Sequence, residues 1–173
     1  MAFGTIPFGT IPVGTLPGGT LPYVGDLLAH TPAEILAQLV IDRGKVHAYD
    51  ANDSWPVYIH ALPDGNSVSN TIVAVYNTAG VIHGKDSDGT QYQHHGVQMR
   101  LRGFDQKTAY LKLQGVVEDL LRQHNVKVEP DIDGEIYTVH SITQASDIVP
   151  ILVDDKNRSH IVVNFLLAIT RYF

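Results

Sequence analysis

The sequence predicts an α+β protein: an antiparallel or mixed sheet with two helices on one face, plus an extended N-terminal arm. Two segments have the apolar spacing of helices, and several others alternate with the two-residue period of strands. Four copies of a Gly-Thr-(Ile/Leu)-Pro-x unit precede them, and the first charged side chain is Asp26. This change in composition predicts an arm over residues 1–25 and one domain over residues 26–173.

The composition narrows the class of protein. The chain has 173 residues, a net charge of −6 and no cysteine. An acidic balance argues against a sequence-reading nucleic-acid binder, although nucleic acid could still slide past an acidic surface. The absence of cysteine excludes disulfides and thiolate metal sites. Prolines interrupt the apolar N-terminus, and the apolar run at residues 161–173 is too short for a bilayer, so we expect neither a signal peptide nor a membrane helix.

The first helix is predicted from "HTPAEILAQLVIDRG". Thr31 suits the N-cap, Pro32 the first helical position, and Glu34 completes a capping box. Gly44 can take the left-handed conformation that ends a helix. One apolar stripe follows from the spacing of Ile35, Leu36, Leu39 and Val40.

Two short strands are predicted next, at residues 55–62 and 71–77. Val57 and Ile59 should share one face of the first strand. Turn residues at 63–67 separate the two strands. Residues 78–93, rich in Gly, Asp, Ser and His, are predicted to form a long loop with a functional or interaction role.

The clearest strand is "GVQMRLRG", which buries one face and exposes a polar, basic one. Val97, Met99 and Leu101 alternate there with Gln98, Arg100 and Arg102. A second helix is predicted from Asp105 to about residues 124–125.

The last third of the chain is predicted to be β-structure. "EIYTVHSIT" forms one strand, and a hairpin follows with its turn at residues 154–157. Pro150 places the first arm of this hairpin at a sheet edge or bulge. The second arm is apolar on both faces, with Phe165 on one and Leu166 on the other, so it is central under helices or lies in a subunit interface.

The sequence contains few residue patterns typical of a catalytic or metal site. His94 and His95 are adjacent, so on an extended chain they point to opposite sides and make a poor metal pair. Asp pairs at 131–133 and 154–155 suit turns, in which Asp caps its own backbone. Arg100 and Arg102 could hold a phosphate or a partner's carboxylates, or simply face solvent. We predict no cofactor and no metal; a small hydrolase using His94 or His95 with a nearby Asp stays an alternative.

Three stretches together resemble one family. "HHGVQMRLRGFDQKTAYLKLQGVVEDL" is similar to minor capsid or tail-terminator proteins of tailed bacteriophages. "TIVAVYNTAGVIHGKDSDGTQYQHHG" resembles the strand and loop before that motif, and "DDKNRSHIVVNFLLAI" resembles the closing hairpin, with an Arg near the turn and an Asn in the last strand. The resemblance spans residues 26–173.

The resemblance implies a structural role in the virion, at the neck of the tail. The resemblance implies a protein that forms a ring, usually a homo-hexamer, at the head-proximal end of the tail. Such a ring ends polymerisation of the tube and joins the tail to the head. The implied partners are the tail tube protein and a head-completion or connector protein, with assembly in the host cytoplasm and DNA passing through a channel without specific binding. A head-completion or stopper protein is the alternative within the same process.

The N-terminal arm departs from this family pattern. Its prolines favour turns or an extended, polyproline-like chain, which at ~3.1 Å per residue could reach about 60 Å. It is either a low-complexity tail or an arm that docks on adjacent subunits or a neighbouring ring. Docking would bury its apolar side chains, which are Ile6, Phe8, Ile11, Val13, Leu16, Leu21 and Tyr23.

Overall fold

The computed structural model describes residues 28–48, 55–65, 68–85, 91–130 and 134–172. The predicted arm and its boundary at residue 26 lie outside the described residues. Within them the α+β fold is confirmed, with two helices and one seven-stranded mixed sheet. The elements are α1 (Pro32–Asp42), β1 (Val57–Ile59), β2 (Ile72–Lys85), β3 (Gln91–Gly103), α2 (Gln106–Leu120), β4 (His124–Val128), β5 (Ile136–Gln144), β6 (Val149–Val153) and β7 (Ser159–Tyr172).

The sheet has the strand order β1-β2-β3-β7-β5-β4, in which β1 runs parallel to β2 and the other pairs are antiparallel. The last strand, β7, is central. Its C-terminal half pairs with β5, whereas its first residues pair with β6 on the same flank. Strand β6 therefore continues the line of β5 after an interruption, and it forms a separate short edge.

Both helices pack on one face of the sheet, as predicted. Helix α1 contacts β1 and β4, the two outermost strands, as well as β2 and β3, so the sheet curls around it. Helix α2 lies against β3 and β7. The alternation of apolar residues produces this arrangement, because every second strand residue faces the helices. The buried strand residues in this core include Val73, Val75, Val97, Met99, Leu101, Tyr137, Val139, Ile161, Val163, Phe165 and Leu167.

The ends of α1 form as the sequence indicates. The Thr31 side chain accepts a hydrogen bond from the Glu34 backbone N–H, and Glu34 accepts one from the Thr31 N–H at 2.6 Å. From the sheet, the Asn77 side chain accepts a hydrogen bond from the Ala33 N–H at 2.9 Å and so satisfies another free donor of the first turn. Gly44 follows the helix with a φ of 62°, the left-handed conformation expected there.

The first predicted strand is much shorter than its apolar pattern indicates. Trp55 and His60 flank β1 with φ angles of 67° and 56°, and this left-handed backbone cannot continue a strand in either direction. Val57 is buried, but Ile59 at the end of the strand is exposed, so the expected common buried face is only half realised.

The predicted loop over residues 78–93 is wrong. Strand β2 continues to Lys85, and β3 begins at Gln91, so most of the segment is a paired β-ribbon. Two glycines permit this pairing, because a Cβ on Gly96 would overlap the carbonyl oxygen of Ala79, and one on Gly80 would overlap that of His94. The polar, glycine-rich composition that indicated a loop is accommodated by irregular register at two places in the ribbon.

The predicted end of α2 near residues 124–125 is also wrong. The helix ends at Leu120, where the Gln123 side chain donates a hydrogen bond to the carbonyl of Asp119 at 3.0 Å. Asn125 has a φ of 51° and lies in β4, a strand that the sequence pattern did not reveal. Only Val128 of this short strand is fully buried, so its alternation is weak.

Candidate interaction surfaces

Arg102 does not face solvent, which corrects the interpretation of the basic strand face. Its side chain is 1% exposed, and its guanidinium donates hydrogen bonds to the carbonyls of Pro63 and Ser69, both at 2.8 Å. These bonds hold residues 61–65 and 68–70, described parts of the connection between parallel strands β1 and β2, against the sheet face opposite the helices. Burial lowers the pKa of Arg102, and the charge of Arg158 lowers it further. Arg102 is thus a structural anchor.

A cluster of charges fastens the same connection to the turn between β6 and β7. Arg158 donates to Asp154 Oδ2 at 2.8 Å and to Asp64 Oδ1 at 3.1 Å, and Lys156 reaches Asp64 at 2.8 Å. Hydrogen bonds from Arg158 and then Lys156 hold the pKa of Asp64 well below its usual range. Burial raises the pKa of Asp154, but hydrogen bonds from Arg158 and His160 outweigh burial and leave it well below its usual range.

The sequence indicated only part of this cluster. Asp154 caps the turn as expected, since its side chain accepts from the N–H groups of Lys156 and Arg158. Asp154 is linked to Asp64 because Arg158 binds both carboxylates. Asp64 is 90 positions away in the chain, so no local sequence pattern predicts this link. The Arg near the closing turn, noted as part of the family resemblance, was the available hint.

The sheet face opposite the helices carries a polar row across β2, β3 and β7. Arg100 donates to the Gln98 side chain at 2.7 Å, and Gln98 donates to Asn164 at 3.0 Å. The Arg100 guanidinium also lies 5.3 Å from the centre of the Tyr76 ring. Burial raises the pKa of this tyrosine. On this same face, the central strand β7 is half-buried at Val162, Leu166 and Ala168. Of the two apolar faces predicted for this strand, one is therefore buried under the helices and the other is partly open.

The two histidines are placed on different sides of β3. His94 meets His83 of β2, with 2.7 Å between His94 Nδ1 and His83 Nε2. His95, the next residue, is half-buried, and burial lowers its pKa, with a smaller effect of the same sign from His94. The cross-strand pairing of His83 with His94 was not visible in the sequence, because it depends on the register of the ribbon.

A ribbon projects from the sheet where β3 separates from β7. The last β3–β7 pair is His95 with Leu167, and beyond it β2 and β3 pair only with each other. We call residues 79–85 and 91–94 the β2–β3 ribbon. Val81 and Ile82 are exposed on it.

A second exposed apolar surface is the edge strand β6. All five of its residues, VPILV, are exposed, and four of them are large apolar residues. The prediction that Pro150 marks an edge or bulge is confirmed, because among the described strands β6 pairs only with β7, and its register shifts beside Pro150. Phe104, just past the end of β3, is exposed near the same end of the sheet.

An apolar cleft of about 450 Å³ lies beside α1 and is lined by α1, β1 and Pro130. His30 and Glu34 both line it, but each side chain has a structural contact. Glu34 accepts from the Thr31 N–H, and His30 Nδ1 lies 3.0 Å from the Tyr137 hydroxyl, which also accepts from the His30 backbone N–H at 3.1 Å. His94 and His95 do not line it. In the described part of the chain, no group of three or more His, Asp or Glu side chains is arranged to hold a metal ion.

The remaining predicted contact residues divide into two groups. Phe165 is 1% exposed and packs in the core of this chain, so its surface is already covered. The seven apolar residues of the N-terminal arm lie outside the described residues. Arg100, His94 and His95, all half-buried, and the half-open face of β7 are thus the predicted contact positions that remain accessible.

The fold and these surfaces define a sheet protein whose prominent features are edges and faces suited to contacts with other proteins. A sequence model of the family described as bacteriophage tail terminator protein matches residues 36–171, from α1 to the end of β7. The chain therefore belongs to the bacteriophage tail terminator family, and it is a tail protein of the virion. No curated protein matches it at significant similarity. No helix in the described ranges is long and apolar enough to span a membrane.

Proposed function

We propose that this chain forms a homo-hexameric ring at the head-proximal end of a phage tail, where it ends polymerisation of the tail tube and joins the tail to the head. The observation that best supports this proposal is the family match, which spans nearly the whole described domain. The proposed role is structural rather than catalytic. The ring would assemble in the host cytoplasm before it becomes part of the neck of the virion.

The charge of the chain supports the proposed channel for DNA. A ring of subunits with a net charge of −6 each would repel phosphates and let DNA pass without gripping it. A cyclic ring also needs two different surfaces on each subunit, because each subunit meets its neighbours head to tail. The described residues offer such surfaces in the β2–β3 ribbon, the β6 edge and the open sheet face.

The proposed partners are the tail tube protein on one side of the ring and a head-completion or connector protein on the other. We propose that the N-terminal arm docks on adjacent subunits or on a neighbouring ring. Ordering such an arm costs on the order of 1–2 kcal/mol per residue in backbone entropy. It carries no charged side chain before Asp26, so burial of its apolar residues would have to offset this cost.

Tail assembly without this protein tests the proposed function. A phage lacking the protein should produce tails of excessive and variable length, measured by electron microscopy, because tube growth is no longer stopped. Native mass spectrometry of the purified protein should show a hexamer. Tails of normal length that merely fail to attach heads would contradict termination and indicate a stopper role.

Truncation tests the arm separately. A chain that begins at Asp26 should keep its fold but join tube and head less stably than the full chain. Dissociation of tail–head complexes in rising salt measures this stability. If the truncated chain assembles and holds tube and head as firmly as the full chain, the docking proposal fails while the ring proposal stands.

A further inference from the structure

Strand β6 is an unusual sheet edge. Its large apolar side chains, Val149, Ile151, Leu152 and Val153, are each 45–58% exposed, and no residue of the strand is charged. Exposed edges normally carry charges or are covered, because their free backbone groups and apolar side chains invite association. Here only Pro150 and the irregular register beside it interrupt the edge. An edge of this composition indicates a partner.

The β2–β3 ribbon is a second exposed β-structure, polar for most of its length but with Val81 and Ile82 exposed on it. From residue 79 to residue 85 it extends about 23 Å past the last β3–β7 pair at ~3.3 Å per residue. Ile82 is 62% exposed and Val81 is 43% exposed, and as adjacent strand residues they point to opposite faces. The close approach of the two backbones at Gly80 and Gly96 fixes the base of the ribbon.

The two surfaces lie at opposite ends of the sheet. Gly103 of β3 pairs with Ser159 of β7, and Ser159 also pairs with Val153 of β6, so β6 lies at the C-terminal end of β3. The ribbon begins at the other end of β3, before His95. About 25 Å of paired strand separates them. The ribbon and the β6 edge of one chain therefore cannot meet within that chain.

We propose that the ribbon of one copy of this chain docks on the β6 edge of the next copy, with Ile82 against Leu152 and its neighbours. This inference rests on the proposed ring function and supplies its head-to-tail contact. Two different surfaces at opposite ends of a subunit give a heterologous interface, which closes into a ring when the rotation allows. The partner is a second copy because the same chain carries both halves of the contact: an exposed apolar side chain on a ribbon that passes the last β3–β7 pair, and an exposed apolar edge strand at the other end of β3.

Charge-introducing variants test the contact in the full chain. Ile82→Asp and Leu152→Asp should each raise the concentration at which half of the chains are in rings by at least about tenfold, since each buries a charge in an apolar contact. Leu111→Asp is the matched control, because Leu111 is 56% exposed and lies on α2, which belongs to neither surface. Analytical ultracentrifugation measures assembly, and circular dichroism checks that each variant is folded.

Mixing the two variants makes the test specific. Leu152→Asp keeps an intact ribbon, and Ile82→Asp keeps an intact β6 edge, so an equimolar mixture should form heterodimers although each variant alone is monomeric. A contact between two β6 edges, or between two ribbons, would give no heterodimer and would overturn the inference. Rings of both variants at wild-type concentrations would overturn it too, while leaving the proposed ring function intact.

Cysteine cross-linking covers the case in which a charged variant fails to fold. The chain has no cysteine, so an Ile82→Cys/Leu152→Cys double variant carries only the two introduced thiols. Oxidation of assembled rings should give a ladder of covalent oligomers, and either single variant should give far fewer. Equal ladders from the single and double variants, or none from the double variant in intact rings, would refute the contact. A wild-type chain that never forms rings would instead refute the proposed function.

Discussion

Replacing Arg102 with methionine should destabilise the protein by detaching the connection between β1 and β2. The guanidinium is buried and donates to the carbonyls of Pro63 and Ser69, both at 2.8 Å. Methionine fills much of the same space but offers no donor, so both carbonyls lose their partner. The effect should concentrate in residues 61–65 and 68–70, because Arg102 bonds both parts of that connection to the sheet.

The magnitude follows from two opposing contributions. Two hydrogen bonds from a charged donor contribute about 1.5–3 kcal/mol each, or roughly 3–6 kcal/mol together. Removing the charge also removes the cost of burying it and its repulsion from Arg158, but loses its attraction to Asp64 at 3.8 Å; together these changes return on the order of 2 kcal/mol. The free energy of unfolding should therefore fall by about 1–4 kcal/mol.

Urea unfolding at a concentration where the chain is monomeric measures this loss, and amide hydrogen exchange shows where it falls. Arg100→Met is the matched control, two residues along the same strand face. Arg100 is half-buried and donates to Gln98 at 2.7 Å, so its loss should cost less than about 1 kcal/mol. Equal destabilisation by the two variants, or unchanged exchange in the connection, would refute the anchoring role of Arg102.

Three further predictions concern pH, backbone packing and the core. Because the folded-state pKa of Asp154 is depressed, its stabilising contribution is present above the ordinary value of 3.8 and is lost as pH falls below it. In Asp154→Asn, the midpoint of urea unfolding should therefore decrease less between pH 6 and pH 2 than in the wild-type chain. Gly96→Ala should lower the free energy of unfolding by about 2–3 kcal/mol, because its Cβ would overlap Ala79. Gly115→Ala, in the open middle of α2, should instead raise it by about 0.5–1 kcal/mol. Thermal unfolding measures both changes, and the reverse order would contradict the packing. Phe165→Ala should cost about 3–5 kcal/mol of folding stability as a core truncation, and a variant of normal stability with defective rings would instead support the contact role predicted from the sequence.

The elements that the sequence predicted well depend on neighbours along the chain. The capping box of α1, the Asp105 cap of α2 and the Asp154 turn all involve residues two to four positions apart. The alternating core face of β3 follows from the two-residue period alone. Such features form wherever the segment forms, so their residues could be identified without the fold.

The main errors share a physical cause. The sequence of the ribbon predicts a loop, because glycine and polar residues are poor strand formers. In the structure, however, the backbones of β2 and β3 approach so closely that glycine is required there. Strand β1 reads as longer than it is because the left-handed backbone at Trp55 and His60 leaves no apolar signature. In each case a contact from elsewhere in the chain outweighed the local preference.

By itself, the sequence determined the fold class, both helices with the N-cap of α1 and the start of α2, the core face of the central strands and the resemblance to tail terminators. Only the tertiary structure decided that Arg102 is buried, that Arg158 joins Asp154 to Asp64, and that the described part of the chain leaves β6 and the ribbon exposed at opposite ends of the sheet. The physical reason is the distance along the chain over which each effect acts. Capping and periodicity act within a few residues, whereas burial and exposure depend on which distant segments the sheet brings together.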